Sequence, residues 1–422
     1  MQGFLVPLVT FGAIVLASAA WSAGPVESVR PAERQPALSA ATPTEDADPA
    51  GLADWLAGFR DRALAQGITA ATYDAAMQNL YYNADIIRRD RNQAEFTKTI
   101  WDYLDTAVSD QRIENGRQAL ARWDDALTRI EETYGVPKEI VTAIWGLESA
   151  YGTFRGSEPV LNGLATLAFD ARRAAFFEAE LIHALRILQS GDTTADKLQG
   201  SWAGAMGHTQ FMPSSFAEHA VDFDGDGRRN IWDDDPRDAL ASTGAYLKAR
   251  GWTTGQPWGF EVRLPDDFDV TLADRENKRL PSAWGAMGVV PVSSTLEDGH
   301  GLGSILLPGG SEGAAFLIFG NFAVLETYNS ADAYVIGVGH LSDRIAGGPA
   351  IEHGWPRHLR ALTKEERTEL QERLTAAGFD TVKIDAKMGP LTINAVRRFQ
   401  LSQGMRPDGY PSLDVLERLR AL

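Results

Sequence analysis

The sequence predicts an α+β protein that is predominantly helical and carries a small β-containing lobe. Between Leu52 and Ser190, apolar residues recur at intervals of three or four, which is the periodicity of amphipathic helices. From Trp258 to Phe319, short apolar runs alternate with Gly, Pro and Asp, as strands separated by turns do. A helical pattern returns in the last 60 or so residues. We therefore expect a helical main body, a small sheet and a separate short helical unit.

Composition restricts the function classes further. At 422 residues the chain is long enough for two or three domains, and its 44% hydrophobic content supplies buried cores. The net charge of −17 disfavours nucleic acid and anionic lipid as partners. The sequence contains no Cys, which excludes thiol nucleophiles, disulfides, Cys-based zinc sites and an acylated N-terminal Cys. With cysteine chemistry excluded, catalysis by carboxylate side chains becomes the main candidate.

The N-terminal region has the pattern of an export signal. Residues 1–23 are predicted to be a signal peptide, because an apolar run from Phe4 is followed by the small residues Ala17, Ser18 and Ala19. No Lys or Arg precedes the run, so the true translation start stays open. A membrane-spanning helix is the alternative, but the run is short for a bilayer. Residues 24–50 contain five prolines and predict a disordered linker. We expect a soluble periplasmic protein.

A carboxylic acid interrupts an apolar helix face. The sequence predicts a helix from about Pro137 to Tyr151, opened by the proline and ended by Gly152. On it, Glu148 continues the apolar stripe formed by residues such as Val141 and Ile144. Apolar neighbours raise the pKa of a carboxyl group, so it can protonate a leaving group near neutral pH. The alternative is a glutamate that reaches solvent or an arginine.

Residues 200–216 combine small residues with side chains that could bind a sugar. The glycines there allow backbone to approach a ligand, and Ser201, Gln210 and aromatic residues offer polar and flat surfaces. A sugar cleft uses both kinds of surface. For Ser201, the alternative is a helix N-cap.

An acidic loop follows. Residues 222–233 reproduce an EF-hand calcium loop, with acidic residues at positions 1, 3 and 5 and glycine at position 6. Position 12 holds Asp where Glu is usual, which shortens the reach for bidentate binding. We expect a structural Ca²⁺; the alternative is an acidic turn without an ion. The predicted ligands are Asp222, Asp224, Asp226, the carbonyl of Arg228, and Asp233.

Two motifs carry a family resemblance. The first is Trp145-Gly-Leu-Glu148-Ser-x-x-Gly152, and the second is the run Gly-Ser-x-Ala-Gly-Ala-Met-Gly-x-x-Gln-Phe-Met-Pro-Ser from Gly200. Together with Asn321-Phe322 and Tyr328-Asn-Ser, they resemble the membrane-bound lytic transglycosylase B family of murein-cleaving enzymes. The resemblance covers residues 51–345, our predicted catalytic domain. It implies a lysozyme-like helical core with a small β-containing lobe.

The resemblance implies cleavage of the β-1,4 bond between N-acetylmuramic acid and N-acetylglucosamine. Glu148 matches the sole catalytic acid of the family. It would protonate the glycosidic oxygen and then, as a carboxylate, take the proton of the muramic acid 6-hydroxyl as that oxygen closes onto C1. The product is a 1,6-anhydro sugar, no water is used, and no cofactor is needed for catalysis. A hydrolase would need a second carboxylate.

The resemblance also implies substrate-binding residues. Ser201, Gln210, Tyr328, Asn329 and Tyr334 match positions that line the glycan cleft. The pair Arg172 and Arg173 matches a basic pair beside it, suited to the carboxylates of stem peptides. The alternatives are surface ion pairs for the arginines and core packing for the tyrosines.

Residues 360–422 predict a separate domain. Thr363 and Glu366 form a capping-box pattern at a helix start, and Gly378 is placed to stop that helix. The run from Gly389 to Gln400, followed by Asp408-Gly409, resembles the small three-helix peptidoglycan-binding domain of many wall enzymes. The alternative is a helical cap on the catalytic domain.

Taken together, these patterns predict an exported lytic transglycosylase. Its partners would be peptidoglycan glycan strands, with cell-wall synthesis or division proteins as further candidates, and it would be a monomer. Two alternatives are open: a hydrolytic muramidase that admits water, and a non-catalytic peptidoglycan-binding scaffold.

Overall fold

The computed structural model describes residues 51–91 and 98–422. The predicted signal peptide, residues 1–23, and the predicted linker, residues 24–50, lie outside these ranges. Within them, none of the helices has the length and apolar character needed to cross a membrane. The described chain forms two compact units. The first unit contains residues 51–91 and 152–242, and the second contains residues 98–151 and 243–422.

Helices dominate both units, as the sequence predicts. In chain order they are α1 (Leu52–Ala65), α2 (Ala70–Met77), α3 (Ala84–Arg91), α4 (Ile100–Ala107), α5 (Asp110–Arg122), α6 (Asp124–Tyr134), α7 (Lys138–Ser149), α8 (Val160–Phe169), α9 (Ala174–Ser190), α10 (Pro213–His219), α11 (Arg237–Ala249), α12 (Pro281–Ala286), α13 (Gly320–Tyr328), α14 (Asp332–Ile345), α15 (Lys364–Ala376), α16 (Pro390–Ser402) and α17 (Leu413–Arg420). The strands are β1 (Glu158–Pro159), β2 (Gln199–Gly200), β3 (Gly259–Arg263), β4 (Val290–Pro291), β5 (Ser304–Leu306) and β6 (Ala315–Ile318). The predicted fold class, α+β and predominantly helical, is confirmed.

The first unit is built around α8. This helix is apolar on nearly all sides, and its residues from Val160 to Ala168 are buried, as expected of a central helix. It packs against α9, which in turn carries α10. At Gly163 the carbonyl oxygen of Trp202 approaches so closely that an added Cβ would lie 2.7 Å from it. The helix thereby supports the loop that follows β2.

The second unit is built around α7. The helix packs against α14, α5 and α6, and the predicted stripe is confirmed, since Val141, Ile144 and Trp145 are at most 3% exposed. The helix is shorter than predicted, because Ala150 and Tyr151 already adopt left-handed backbone angles, with φ of 49° and 59°. Non-glycine residues rarely adopt these angles, and such strain concentrates at functional sites.

The predicted sheet is present in the second unit. It is antiparallel, in the order β4-β3-β6-β5, and the runs at Phe260 and Ala315 pair as β3 and β6, with Phe260 opposite Leu317. Its buried face forms a separate core with the indole of Trp284, which is fully buried. The sheet therefore forms a lobe with a hydrophobic core of its own.

The C-terminal residues fold as three helices, α15, α16 and α17, around a separate core that includes Leu370 and Phe399. The capping box is confirmed, since the Thr363 side chain accepts from the Glu366 N–H and the Glu366 carboxylate accepts from the Thr363 N–H. In the preceding segment, the Trp355 ring packs against Gly309 and Gly313 of the lobe.

Close packing around α7 makes one glycine essential for stability. A Cβ on Gly146 would lie 2.6 Å from both Cζ and Oη of Tyr151, whose hydroxyl is held by a 2.7 Å hydrogen bond to the carbonyl of Arg112. We expect Gly146→Ala to lower the free energy of unfolding by about 2–3 kcal/mol, as overpacking does. Urea denaturation measures this change.

Gly58→Ala is the matched control. In α1 the nearest atom to its added Cβ is the end of the Arg62 side chain, at 3.6 Å. This variant should gain about 0.5–1 kcal/mol from helix propensity. Equal effects of the two substitutions would contradict the packing argument.

Candidate active site

Glu148 lies in the last turn of α7 and is hydrogen-bonded to a tyrosine. The hydroxyl of Tyr334, on α14, donates to Glu148 Oε1 over 2.6 Å. The glutamate keeps a partly exposed edge, yet the surrounding protein strips water from its carboxyl group. This burial raises the pKa of Glu148 to about 7, while the Tyr334 hydrogen bond acts in the opposite direction. The group is thus an acid that exchanges its proton near neutral pH.

Two further features hold Glu148 in this state. It lies at the carbonyl end of α7, where the helix dipole disfavours negative charge. Burial also raises the pKa of Tyr334 well above its usual value, so its hydroxyl stays protonated and acts as a donor. The alternative of a glutamate paired with an arginine does not describe this contact, because the group that donates to the Glu148 carboxyl is the hydroxyl of Tyr334.

Tyr328, Asn329 and Tyr334 lie at the corner where α13 ends and α14 begins. The rings of Tyr328 and Tyr334 stack, with centroids 6.5 Å apart and planes 7° apart. Asn329 Oδ1 accepts from the N–H of Ala331 over 3.0 Å, which closes the turn. The structure therefore brings three of the predicted residues, Glu148, Tyr334 and Tyr328, into one chain of contacts.

Ser201 and Gln210 belong to the first unit, in the loop after β2. Ser201 Oγ accepts from the N–H of Ala205 over 3.1 Å, so the residue closes a turn and is not a helix N-cap. Gln210 Nε2 donates to the carbonyls of Arg155 and Gly207, at 3.0 and 2.8 Å. Gln210 also has a positive φ of 54°. The loop thus fixes both side chains, and their role in binding stays a prediction.

Arg172 and Arg173 share one carboxylate that our sequence analysis did not single out. Arg172 Nε donates to Asp90 Oδ2 over 2.7 Å, and Arg173 Nη2 donates to Asp90 Oδ1 over 2.5 Å. Asp90 is 3% exposed, whereas the Arg172 side chain is 46% exposed. The sequence feature that could have identified Asp90 is its position on α3, four residues after Ile86, which places the acid on the buried face of the helix. Asp90 orients the arginine pair.

The acidic loop groups three of its predicted ligands. Carboxylate oxygens of Asp222, Asp224 and Asp226 lie within 4.8 Å of one another, and hard oxygen donors of this kind suit Ca²⁺. The Asp222 carboxylate also accepts from the N–H groups of Gly225 and Gly227, at 2.8 Å each, which shapes the turn. The donor set therefore fits the predicted ion.

The ligand role predicted for Asp233 stays a prediction. Asp233 is not in that group, because its carboxylate pairs with Lys197 Nζ at 3.3 Å and accepts from Asn230 Nδ2 at 2.9 Å. The carboxylate that joins the two ends of the loop is Asp238, which is 3% exposed. It accepts from the N–H groups of Phe223 and Asn230, both at 2.8 Å.

Comparisons with known proteins identify relatives of this chain. The membrane-bound lytic murein transglycosylase B of Escherichia coli K12 is 35% identical over 251 residues, which are 58% of this chain and 66% of that relative's length. SltB3 from Pseudomonas aeruginosa, solved with NAG-anhNAM-pentapeptide, is 44% identical with a TM-score of 0.84, covering 87% of this chain and 99% of that one. The E. coli lytic transglycosylase Slt35, solved with calcium, is 31% identical with a TM-score of 0.60, covering 69% and 92%.

The buried acid, the tyrosine that holds it and the helical scaffold define the class of peptidoglycan-cleaving lyases. A family model described as transglycosylase SLT domain matches residues 51–343, which is more than half of the chain. The chain therefore belongs to the transglycosylase SLT family. A second model, described as a putative peptidoglycan binding domain, matches residues 363–419.

The raised pKa of Glu148 has a measurable cost for folding. Because the folded protein binds this proton more tightly than an ordinary glutamate with a pKa of 4.5, stability falls as pH rises from about 4.5 to about 7. We expect Glu148→Gln to be more stable than the parent by about 3 kcal/mol at pH 8.5 and nearly equal to it at pH 4. Urea unfolding at both pH values measures the difference.

Glu139→Gln, in the first turn of the same helix, is the control. It should show no gain at pH 8.5, because an acidic side chain there interacts favourably with the helix N-terminus. Parallel behaviour of the two variants would refute an unfavourable buried charge at Glu148.

Proposed function

We propose that this protein cleaves the β-1,4 bond between N-acetylmuramic acid and N-acetylglucosamine in peptidoglycan, and leaves a 1,6-anhydromuramic acid end. The observation that carries the proposal is the Glu148 carboxyl group, with its pKa near 7 and its hydrogen bond from Tyr334. A group with this pKa can give and take back one proton at neutral pH. Both steps of the reaction need that ability.

The first step breaks the glycosidic bond. Protonated Glu148 gives its proton to the glycosidic oxygen, the C1–O bond breaks with its electron pair on that oxygen, and N-acetylglucosamine leaves as an alcohol. The carboxylate that results accepts the hydrogen bond of Tyr334, which stabilises it. Positive charge develops at C1 and the ring oxygen of the muramic acid.

In the second step, the 6-hydroxyl oxygen of the same sugar forms a bond to C1. Its proton passes to the Glu148 carboxylate, which restores the starting acid. One carboxyl group suffices because the nucleophile is part of the substrate and already lies near the reacting carbon. Formation of an anhydro sugar, rather than hydrolysis, is supported by the structure of SltB3 with NAG-anhNAM-pentapeptide. SltB3 is 44% identical to this chain.

Substrate contacts are part of the proposal. We infer that Tyr328, Asn329 and Tyr334, beside Glu148, bind the sugar that is cleaved, since flat rings and an amide suit a glycan. Ser201 and Gln210 would bind the glycan from the loop after β2. Arg172 is nearly half exposed, so part of its guanidinium can donate to stem-peptide carboxylates while Asp90 holds the rest.

A structural Ca²⁺ is the proposed occupant of the acidic loop. Asp222, Asp224, Asp226 and the carbonyl of Arg228 would hold it, and the calcium complex of Slt35 supports this assignment. The ion would neutralise three neighbouring carboxylates and stabilise the loop. No step of the reaction needs it.

The C-terminal domain and the N-terminal residues suggest where the enzyme works. The match to a peptidoglycan-binding family supports attachment to the wall, which raises the substrate concentration at Glu148. The apolar run and small residues of positions 4–19 support export to the periplasm.

The products of digestion test the proposed reaction. Purified murein is incubated with the parent protein and with Glu148→Gln, and soluble products are identified by mass spectrometry. We expect products lighter by one water than hydrolytic muropeptides, and a loss of at least about a thousandfold in rate in the variant, because no acid remains. Products with reducing ends would establish hydrolysis.

Inactivity of both proteins, with binding to murein retained, would establish the scaffold alternative. Glu139→Gln, on the same helix, should digest murein like the parent and controls for handling. If Glu139→Gln gave products of different mass from those of the parent, a contaminating enzyme in the preparation would be indicated.

Calcium binding is tested by thermal unfolding. We expect 1 mM CaCl₂ to raise the Tm by about 2–4 °C over a sample in EDTA, as a ligand specific for the folded state does. Asp226→Asn should lose this shift, because it removes one carboxylate from the group of three. Asp61→Asn, an exposed change on α1, should keep it. A shift that persists in Asp226→Asn would disprove the site.

A further inference from the structure

One short segment of the second unit, residues 273–275, takes part in the contacts of two arginines. Arg275 extends from this segment to the helices that carry Tyr328 and Tyr334. Arg397, on α16 of the C-terminal domain, reaches the same segment at Ala273 and Asp274. The three residues 273–275 are consecutive, so the two sets of contacts are joined through a few backbone bonds.

Arg275 joins α13 to α14. One arm of its guanidinium donates to Glu326 Oε1, and the other donates to Asp332 Oδ1 over 2.5 Å. The guanidinium also lies over the Phe322 ring, with Cζ 5.1 Å from the centroid. All three side chains of this ion triad are at least partly shielded, with 25–36% of each exposed. Partly shielded hydrogen bonds between charged groups, as here, are stronger than hydrogen bonds between neutral groups.

The two acids stand on either side of the active-site corner. Glu326 precedes Tyr328 by two residues near the end of α13, and Asp332 precedes Tyr334 by two residues at the start of α14. Without a cation between them, the two carboxylates would repel each other across the corner. The Arg275 fork therefore fixes the spacing of the two helix ends, and with it the Tyr334 hydroxyl that contacts Glu148.

Arg397 anchors the segment from the other side. It donates from Nη1 to Asp274 Oδ2 over 3.0 Å and from Nη2 to the carbonyl of Ala273. Its side chain is only 15% exposed, and Gly409 packs against it so closely that an added Cβ would lie 2.9 Å from Nε. Nearby, Asp408 Oδ2 accepts from the N–H of Ser311 over 2.9 Å. The C-terminal domain is thus attached to the lobe by several well-shielded contacts.

We propose that Arg275 is a positioning residue for the Tyr328–Tyr334 corner, and that Arg397 of the C-terminal domain holds the segment that carries Arg275. The C-terminal domain then has a second function besides binding the wall, because it helps to keep Tyr334 in position beside Glu148. This inference rests on the proposed role of Glu148 in catalysis.

The test compares two adjacent arginines of α16 in the full-length protein. Arg397→Met removes the contacts to Ala273 and Asp274. Arg398→Met removes the same charge from the same helix, and the contact it breaks lies within the C-terminal domain, since Arg398 Nη2 donates to the carbonyl of Asp380 over 3.2 Å. Digestion of purified soluble glycan strands gives kcat and KM, and hydrogen–deuterium exchange follows the amides of residues 328–334.

We expect Arg397→Met to lower kcat about three- to tenfold with KM within twofold of the parent, and to speed amide exchange at 328–334. Arg398→Met should leave both readouts unchanged. A loss confined to KM, or unchanged exchange at the corner, would overturn the proposal and leave the domain with binding alone.

Arg275 is tested in the same way. Arg275→Met should lower kcat about ten- to a hundredfold, and Arg275→Lys should recover only part of this loss, because one ammonium cannot donate to both acids in the geometry of the fork. Arg263→Met, which breaks an exposed ion pair with Glu352 on the lobe, should match the parent. Full recovery by Arg275→Lys would overturn the positioning role.

Failure of this inference and failure of the proposed function give different results. If Glu148→Gln retained activity, the proposed function would fall, whatever happens at Arg397. Amide exchange at the corner requires no turnover, so it decides the structural link independently. If Arg275→Met does not fold, Arg397→Met and Arg275→Lys decide the proposal.

Discussion

The burial of one carboxyl group, that of Glu148, is the constraint on which the rest of this structure depends. Placing an acid among apolar side chains costs free energy whenever it is ionised, and the protein must have other interactions that offset this cost. The Tyr334 hydroxyl offsets part of it, because it donates to the carboxylate over 2.6 Å. The balance of the two effects leaves a pKa of about 7. Stronger burial would prevent the carboxylate from forming, and stronger hydrogen bonding would prevent it from holding a proton.

That balance requires accurate positions, and the fold supplies them at several levels. The last turn of α7 is followed by two strained residues, Ala150 and Tyr151, which end the helix directly after Glu148 and Ser149. Tyr334 lies near the start of α14, which packs along α7. The helix that carries the acid and the helix that carries its donor therefore form one packed pair. Small displacements of one relative to the other would change the hydrogen bond that sets the pKa.

Shielded charged side chains recur at the places where the chain must hold an unusual shape. Asp90 holds the arginine pair of the first unit, Asp238 joins the ends of the acidic loop, and Arg275 joins the two helices at the active-site corner. In each case the group that organises the others is buried or partly buried, where charge-assisted hydrogen bonds are stronger than at the surface.

The sequence by itself determined the fold class, the helical character of the main body, the strands β3 and β6 and the capping box at Thr363, because these follow from local periodicity and from residues a few positions apart. The sequence also predicted that Glu148 is a functional acid, since it continues the apolar face of the helix that carries it. Its family motifs pointed to the other predicted residues, whose roles stay predictions.

Only the tertiary structure decided which groups act on these residues. The contact of Tyr334 with Glu148 joins positions 186 residues apart, and the contact of Arg397 with Asp274 joins positions 123 apart. No periodicity or spacing records such pairs. The structure also shows that Asp238, outside the twelve-residue motif, accepts hydrogen bonds from two backbone N–H groups of the acidic loop. Local order is encoded locally, whereas the pKa of a buried acid depends on everything that packs around it.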